Sequence, residues 1–503
     1  MMKRVLVANR GEIALRIIRG CHEEGLEAVA VYSDADVASA HVRAADHAVH
    51  IGGSAPADSY LRIERIVDAA KASGADAVHP GYGFLSERAE LAQAVADARL
   101  TFIGPPATAI AAMGDKTAAR KRLRVAGVPV VPGAVDALGS AEDAVKLAKS
   151  LGYPVLLKAA AGGGGRGMRV VRKADEMAAA FASAEGEAYK AFGDGRVYVE
   201  RYLENPRHVE IQVLADRHGR TIALGERECS IQRRHQKLIE EAPSIAVTAA
   251  IRRAMGEAAV RAAQAVGYVS AGTCEFLLLP SGEFYFLEMN TRLQVEHPVT
   301  ELVYGVDLVR MQLKVAMNHH LSLPERALAP RGWALECRIT SEDPFNDFLP
   351  AAGTITHLRL PEGPGVRWDG WIEQGCEVSL YYDSLLGKLI VWGESRDRAI
   401  MRMRRALKDL VIVGVPTARE FHQRVMHEPD FMKGAIDIGY WERIGRDLMA
   451  RPVEAGTADP LAVAAALAEH ERRGTAGGTG GTAPPPTAGQ DAWGRAGRDE
   501  NMR

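Results

Sequence analysis

Apolar and polar positions alternate in blocks along the start of the chain. Residues 4–8 (Arg-Val-Leu-Val-Ala) and 28–32 are short apolar runs, and residues 12–24 between them repeat apolar side chains every three or four positions. Helical spacing returns over 60–73. A strand-like run follows at 75–79, and after a further helix another comes at 100–103. Strands that alternate with helices predict a doubly wound, mostly parallel sheet. The first turn, Ala8-Asn-Arg-Gly-Glu-Ile-Ala14, lacks Gly-x-Gly-x-x-Gly, so no dinucleotide site is expected there.

From about residue 115, helices rich in Ala, Lys and Arg take over. Ser140 is placed to cap one and Gly152 to stop it. A strand is expected at 153–158, a glycine-rich tip at 159–167 and a second strand at 168–171, while 197–203 and 209–214 are again strand-like. Lysine precedes these glycines and a strand follows them, which is not the Walker A order. The tip is expected to be a flap whose backbone N–H groups close over phosphates, with Lys158 as a point charge. Glycine-rich hairpin tips also occur as plain loops. Residues 204 to about 446 have an α+β texture.

Within that stretch, residues 274–279 and 284–289 are apolar and aromatic, and Pro-Ser-Gly-Glu separates them. This predicts an antiparallel hairpin with a four-residue loop. Pairing Leu279 with Phe284 places Leu277 opposite Phe286 and Glu275 opposite Glu288, and a period of two adds Asn290 to the same face. Like charges directly opposite destabilise a sheet, so something positive is expected between them. A hard divalent ion with oxygen ligands fits; a register off by one residue and neutralisation by Arg292 are the competing readings.

Other polar groups gain meaning only together. In Glu228-Cys-Ser-Ile-Gln-Arg-Arg-His-Gln-Lys-Leu-Ile-Glu-Glu241, Arg233, Arg234, His235 and Lys237 concentrate positive charge, as an anion site or as a solvated strand edge. Glu200 and His208 offer a carboxylate and an imidazole, unremarkable singly. Arg292 and Arg338, if they converge, can hold a small carboxylate or bicarbonate bidentately, with Glu296 as candidate general base. Arg292 and Glu296 are also spaced for a helical ion pair, but Pro298 and the polar run argue against a helix there.

Bulk properties narrow the class. A length of 503 residues allows about three domains. The net charge of −2 gives no global attraction for nucleic acid or an anionic membrane. Five dispersed cysteines point to reduced thiols. The first apolar run is too short for a signal peptide, and no stretch approaches the roughly 20 apolar residues of a membrane helix. A cytoplasmic protein with no membrane or nucleic-acid partner is expected. Beyond residue 446 an Ala-rich helix is expected at about 459–473. A Gly/Thr/Pro linker and a last segment around Trp493, a passive tail or a docking peptide, follow it.

Taken together these segments resemble the biotin carboxylase family, ATP-grasp enzymes that act in acyl-CoA, pyruvate and related carboxylases. The resemblance runs from Lys3 to about Arg446. It rests on Ile13-Ala-Leu-Arg16, His79-Pro-Gly-Tyr-Gly-Phe-Leu-Ser-Glu87, Met113-Gly-Asp-Lys116 and the glycines at 162–167. It also rests on Tyr202-Leu-Glu-Asn-Pro-Arg-His-Val-Glu210, Gln232-Arg-Arg-His-Gln-Lys237, residues 288–300, Glu336-Cys-Arg338 and Tyr381-Tyr-Asp-Ser-Leu-Leu-Gly-Lys-Leu389.

The resemblance implies a mixed α/β and α+β fold. Its parts are a doubly wound pre-ATP-grasp domain at 1–114, an ATP-grasp domain at 115–330 with a mobile lid at about 131–203, and a C-terminal biotin carboxylase domain at 331–446. Residues 447–503 form a mostly disordered tail. By the same resemblance Lys116, Lys158, Glu200, Leu203, His208 and His235 contact ATP, Met168, Arg201, Tyr202 and Gln232 belong to that site, and Gly164 and Gly165 lie on the flap. Glu275, Glu288 and Asn290 hold Mg²⁺ or Mn²⁺. Lys237, Arg292, Gln294 and Val295 hold bicarbonate, Glu296 deprotonates it, and Arg338 stabilises the biotin enolate.

The implied reaction is ATP-dependent carboxylation of biotin through carboxyphosphate, in a homodimer. Ala161 replaces one further glycine of many relatives, a change expected to stiffen the flap. No Ala-Met-Lys-Met occurs, so a separate biotin carboxyl carrier protein and separate carboxyltransferase chains are expected. The whole complex is expected to be an acetyl-CoA or other acyl-CoA carboxylase, with pyruvate carboxylase and an ATP-grasp carboxylate–amine ligase as alternatives.

Overall fold

The computed structural model describes residues 2–134, 136–160, 168–323 and 329–450; at Lys116, Thr117 and Phe192 the description stops at the backbone. The expected flap at 161–167, with Ala161, Gly164 and Gly165, and the expected tail helix, linker and Trp493 segment lie outside the described residues.

The first sheet is parallel throughout. Its strands are β1 (Arg4–Val7), β2 (Glu27–Ser33), β3 (His47–Gly52), β4 (Ala77–His79) and β5 (Thr101–Phe102), in the order β3-β2-β1-β4-β5. Val5, Leu6 and Val7 are buried, as the central strand of a sheet covered on both faces requires. Helix α1 (Gly11–Glu23) packs against it with Ile13, Ile17 and Cys21 at i, i+4 spacing, and Ala14 and Ile18 beside them. Strand β3 escapes the sequence pattern because it is an edge strand: of its six residues only Ile51 is buried, and two are histidines.

A smaller unit follows. Helix α2 (Ala141–Leu151) is capped by Ser140, whose Oγ accepts from Asp143 N at 3.2 Å, and Gly152 leaves it at φ +80°. Strands β6 (Val155–Ala159), β7 (Arg169–Val171) and β8 (Val197–Arg201) form an antiparallel sheet in the order β7-β6-β8.

The largest sheet has eight antiparallel strands. They are β9 (Arg207–Ala215), β10 (Thr221–Arg233), β11 (Gln236–Ala242), β12 (Ser270–Leu278), β13 (Phe284–Asn290), β14 (Trp333–Thr340), β15 (Val366–Gly370) and β16 (Leu385–Gly393). Their order is β13-β12-β9-β10-β11-β14-β16-β15. The ladder crosses residue 331 unbroken, because β11 pairs with β14 from Ile239↔Cys337 to Ala242↔Ala334. Helix α3 (Ala249–Ala265) packs against β10 and β9.

The hairpin β12–β13 corrects one expectation. Glu275 does face Glu288, but nearer the turn the pairs are Phe276↔Phe286, Leu277↔Tyr285 and Leu278↔Phe284. Leu287 is therefore a bulge, and Leu279 N donates to Glu283 O at 2.8 Å inside the turn. The extra residue turns Phe286 into the core, edge-on to Phe276 with centroids 5.9 Å apart. Packing of two aromatic rings outweighs the simpler ladder.

Helix α4 (His297–Tyr304) begins directly after Glu296, so residues 292–296 are not helical, as Pro298 implies. Its far end is seated on β10: Gly225, at φ +61° within a register shift, lies so close to Tyr304 that a Cβ there would stand 1.8 Å from the Tyr304 hydroxyl. A Gly225→Ala variant is expected to lose ~2–4 kcal/mol of stability in urea denaturation, from left-handed backbone strain plus overpacking. A smaller loss would mean that α4 is not anchored through this contact.

Candidate active site

A cavity of about 890 Å³ opens where the three sheets approach one another. The loop after β1 and the first turn of α1 supply Asn9 to Ile13, the loop after β4 supplies Tyr82 to Phe84, β6 and β8 supply Lys158 and Glu200, and the large sheet supplies most of the remainder. Every predicted site residue with a described side chain lines this cavity. The Lys116 side chain, Gly164 and Gly165 lie outside the described residues.

At one end, antiparallel pairing of β6 with β8 sets Lys158 beside Glu200. Lys158 Nζ donates to Glu200 Oε1 at 2.6 Å, and Arg120 Nη1 donates to Glu200 Oε2 at 2.6 Å. Burial opposes the charge on Lys158, but Glu200 more than offsets this and holds its pKa above the usual lysine value. Met168, Arg201, Tyr202 and Leu203 line this end with Gln232, and His235 stands exposed in the tight β10–β11 turn at φ +65°.

That turn splits the basic cluster read from sequence. Arg233 Nη2 donates to Asp347 Oδ1 at 2.6 Å and Arg234 Nη2 to Asp347 Oδ2 at 2.8 Å, so both arginines face an acid outside the cavity. Alternation along β11 sends Lys237 inward instead. The four cations thus do not form a single anion site.

The other end is a knot of buried ions around Lys237. Its Nζ donates to Glu210 Oε2 at 2.6 Å, Glu275 Oε1 at 2.9 Å and Glu296 Oε1 at 2.7 Å. Burial disfavours the ammonium, yet the three carboxylates hold its pKa well above the ordinary lysine value. Glu275 Oε2 also faces His208 Nε2 at 3.0 Å, and Glu275 Oε1 accepts from Asn290 Nδ2 at 2.9 Å and Gln294 Nε2 at 3.0 Å. Against the cost of burial, Lys237 and His208 pull the Glu275 pKa well below the carboxylate range, and Glu275 in turn raises that of His208.

Glu296 is gripped from both sides. Besides Lys237, Arg338 Nη2 donates to its Oε2 at 2.9 Å. Burial alone raises its pKa, but Lys237, Arg338 and Arg227 together drive it well below the usual range. Arg292 does not pair with Glu296. Its Nε donates to Glu87 Oε2 at 3.0 Å and its Nη2 to Asn290 Oδ1 at 3.2 Å, which leaves the guanidinium at the cavity wall. Arg292 and Arg338 therefore reach one cavity with Glu296 among them. Glu288 is half-buried on the same wall, in cross-strand register with Glu275.

Three residues that matter here carried no role in the sequence reading. Arg227, fully buried on β10, bonds Glu210 and donates to Gln212 (2.7 Å), Thr300 (2.9 Å), Thr273 (3.0 Å) and Gln294 (3.0 Å). It fixes the Gln294 amide with oxygen toward itself and nitrogen toward Glu275. Glu210 is the third carboxylate on Lys237; it lies two residues beyond His208 on one strand face, a signal that period-two alternation offers. Glu87 lies in a segment that carries the family resemblance, yet its hold on Arg292 spans a sequence distance that no local pattern reveals.

Chemically, this wall offers cations held in fixed directions beside a carboxylate able to accept a proton, next to a second end with its own lysine and imidazole. Among the described residues, ligand atoms of His208, Glu210 and Glu275, and of Glu210, Cys229 and Glu296, come close enough to share a metal. Both groups include carboxylates that already hold Lys237, so its ammonium fills that role here. Glu275, Glu288 and Asn290 also line the cavity, with Glu275 bonded to Lys237 and Asn290 Oδ1 to Arg292.

Comparison with known proteins agrees with this layout. Residues 1–110 match the family model described as biotin carboxylase, N-terminal domain, residues 115–324 that of the carbamoyl-phosphate synthase L chain ATP-binding domain, and residues 336–443 that of the biotin carboxylase C-terminal domain. The chain is 52% identical to a biotin carboxylase of Nostoc sp. over 88% of its own length and 99% of that protein. It is 50% identical to a pyruvate carboxylase subunit of Methanothermobacter thermautotrophicus, over 90% of this chain and 91% of that one. Among solved structures, the biotin carboxylase domain dimer of Hydrogenobacter thermophilus 2-oxoglutarate carboxylase, in complex with MgADP, ADP and bicarbonate, superimposes with a TM-score of 0.85 at 46% identity. That match covers 90% of this chain and all (100%) of that one.

Lys237→Met removes the one cation that three buried carboxylates share, and is expected to cost ~3–5 kcal/mol at neutral pH. Glu275 and Glu296 have depressed pKa values in the folded state, so their contribution is present above the unfolded carboxylate pKa and is lost as pH falls. The deficit of the variant should therefore shrink in acid. Urea denaturation of both proteins at neutral pH and near pH 4 checks this; a deficit independent of pH would refute the ionic account.

Proposed function

The chain belongs to the biotin carboxylase family, and we propose that it serves as the biotin carboxylase component of a multi-chain carboxylase acting on acetyl-CoA or another acyl-CoA. It is an ATP-dependent, ADP-forming ligase that carries out the first half-reaction, carboxylation of biotin. The observation that carries the site assignment is the convergence of Arg292, Lys237, Glu296 and Arg338 on one cavity with Lys158, Glu200 and His208.

In this reading bicarbonate sits against Arg292, Lys237, Gln294 and Val295. Before it arrives, both oxygens of Glu296 face cations and its affinity for a proton is low. A second anion draws on the same cations and adds like charge beside Glu296, and both effects raise that affinity. Glu296 then takes the bicarbonate proton, and the resulting oxyanion attacks the γ-phosphoryl group of ATP, which breaks its bond to the β,γ-bridging oxygen, releases ADP and forms carboxyphosphate. Lys158 and His208, with Lys116 and the flap glycines, bind and neutralise the polyphosphate.

Carboxyphosphate breaks down to CO₂ and phosphate, the phosphate accepts the ureido proton of biotin, and Arg338 opposes the negative charge that remains. Closing the cavity against water protects the intermediate. Two cross-strand carboxylates and a neighbouring amide oxygen suit Mg²⁺ or Mn²⁺. Glu275, Glu288 and Asn290 would hold the ion, which would supply charge neutralisation for the transferring phosphoryl group.

Biotin arrives on a separate carrier protein, and separate carboxyltransferase chains use the product. The dimeric Hydrogenobacter relative supports a homodimer for this chain too. A cytoplasmic location accords with the described helices, none of which is long and apolar enough to cross a membrane. A second reading, the equivalent component of a pyruvate carboxylase, is favoured by the Methanothermobacter relative. The carboxyl acceptor of the complex that co-purifies with the chain distinguishes the two.

ATP hydrolysis by the purified chain should require bicarbonate and rise with free biotin; hydrolysis indifferent to bicarbonate would exclude the proposed site. Glu296→Ala should lower bicarbonate-dependent turnover by about 10²–10⁴-fold, the range for a lost general base. Glu288→Gln should raise the Mg²⁺ concentration needed for half-maximal activity while the circular dichroism spectrum stays unchanged, and an unaltered requirement would remove Glu288 from the metal site.

A further inference from the structure

Behind Arg338, two buried carboxyl groups lie directly opposite each other. Glu240 on β11 and Glu336 on β14 are cross-strand partners, and both residues are fully buried. Arg338 Nε donates to Glu240 Oε1 at 2.6 Å while its Nη2 donates to Glu296. Glu240 Oε2 and both oxygens of Glu336 have no hydrogen-bond partner among the described residues. Two anions in that position repel across the ladder, and a buried carboxylate without a partner is strongly disfavoured. A single proton removes both conflicts: a protonated Glu336 is a donor, and Glu240 Oε2 is a waiting acceptor.

We propose that Glu240 and Glu336 form a proton-sharing carboxyl–carboxylate pair that positions Arg338 and limits the negative charge around it. The consequence for Arg338 rests on its reading above as the residue that faces the biotin enolate. With the proton in place, Arg338 meets one charge from the pair and one from Glu296. Once Glu296 has taken the bicarbonate proton, a single anion remains, and the guanidinium can oppose negative charge on biotin. Without the shared proton, the neighbouring acids hold Arg338 to the protein.

The surroundings leave the proton nowhere better to go. Glu336 is faced by Lys388 from β16, Glu240 from β11, its strand neighbour Arg338, and Glu296, and Tyr82 lies within electrostatic reach. Lys388 is already committed, with Glu12 Oε1 at 3.0 Å, the Val295 carbonyl at 2.8 Å and Asp369 Oδ2 at 3.9 Å. His297 on α4 stays neutral, since burial and the nearby Lys388, Arg16 and Arg367 lower its pKa. Glu240 is faced by Arg338, Glu296 and Lys237, and the Cys229 and Cys337 thiols near the pair are kept neutral by burial. Burial pushes both carboxyls above their usual range and Glu336 furthest, because Arg338 bonds Glu240 directly and opposes the rise there. The proton is held below that raised pKa and is lost as pH rises through it.

Infrared spectra of the full-length enzyme in H₂O and D₂O should show the carbonyl stretch of a protonated carboxyl at neutral pH, and E336Q should remove it. In steady-state assays with free biotin, E336A, which cannot donate to Glu240, should lower kcat/KM for biotin by about tenfold, the weight of one charge-assisted hydrogen bond. E336Q, whose amide can donate, should recover that loss and lack the alkaline decline of the wild type. Absence of a protonated-carboxyl band in the wild-type enzyme at neutral pH would overturn the pair. A band accompanied by superimposable pH profiles of E336Q and wild type would overturn its link to Arg338. An ATPase that ignores biotin would instead sink the reading of Arg338, while the infrared result still decides the pair.

Discussion

Lys237 has three ammonium protons and gives each to a carboxylate from a different part of the chain: Glu210 from β9, Glu275 from β12, and Glu296 from the turn before α4. No other group of its size satisfies three buried acids at once. The charge balance at this end of the cavity depends on that arrangement. The low proton affinity of Glu296, the fixed direction of Glu275 toward His208, and the register that brings the segments together each presuppose the ammonium in place. Arg227 extends the same logic one layer deeper, tying Glu210 and Gln294 to Thr273 and Thr300.

Such a cluster costs desolvation energy that an apolar core would not, and its retention makes sense only if the ions are used. Here they are arranged so that an incoming anion changes the balance. Bicarbonate is a poor nucleophile, and on the proposed reading a base already neutralised by two cations does not act on it until it binds and shares them. On that reading, selectivity for the anion and activation of the base follow from the same contacts.

Much of this is legible in the chain before any coordinates. The parallel first sheet follows from its apolar runs, the Ser140 cap and Gly152 stop from residue type, and the opposition of Glu275 and Glu288 from alternation along a hairpin. What escapes has a physical reason in each case. Strand β3 is polar because it is an edge. The bulge at Leu287 is set by Phe276 and Phe286 meeting in the core, which only three dimensions reveal. Arg233 and Arg234 are two residues and one residue before the cavity-lining His235, yet a turn sends them to Asp347, more than a hundred positions away. Glu87 acts across 205 positions and Arg227 across as many as 73. The assignment of roles within the site comes from family resemblance; the geometry adds which groups hold which.

The unbroken ladder from β11 to β14 has a mechanical meaning. Strands joined by successive backbone hydrogen bonds cannot be parted without breaking the whole row, so no hinge exists along the seam at residue 331. Arg338 rides on that stiff plate of strands, and Glu296, in the turn before α4, is tied to it through Arg338 on β14 and Lys237 on β11. The strands β6, β7 and β8 share no ladder with that plate, so on the proposed reading they can open and shut over a nucleotide while the plate stays intact.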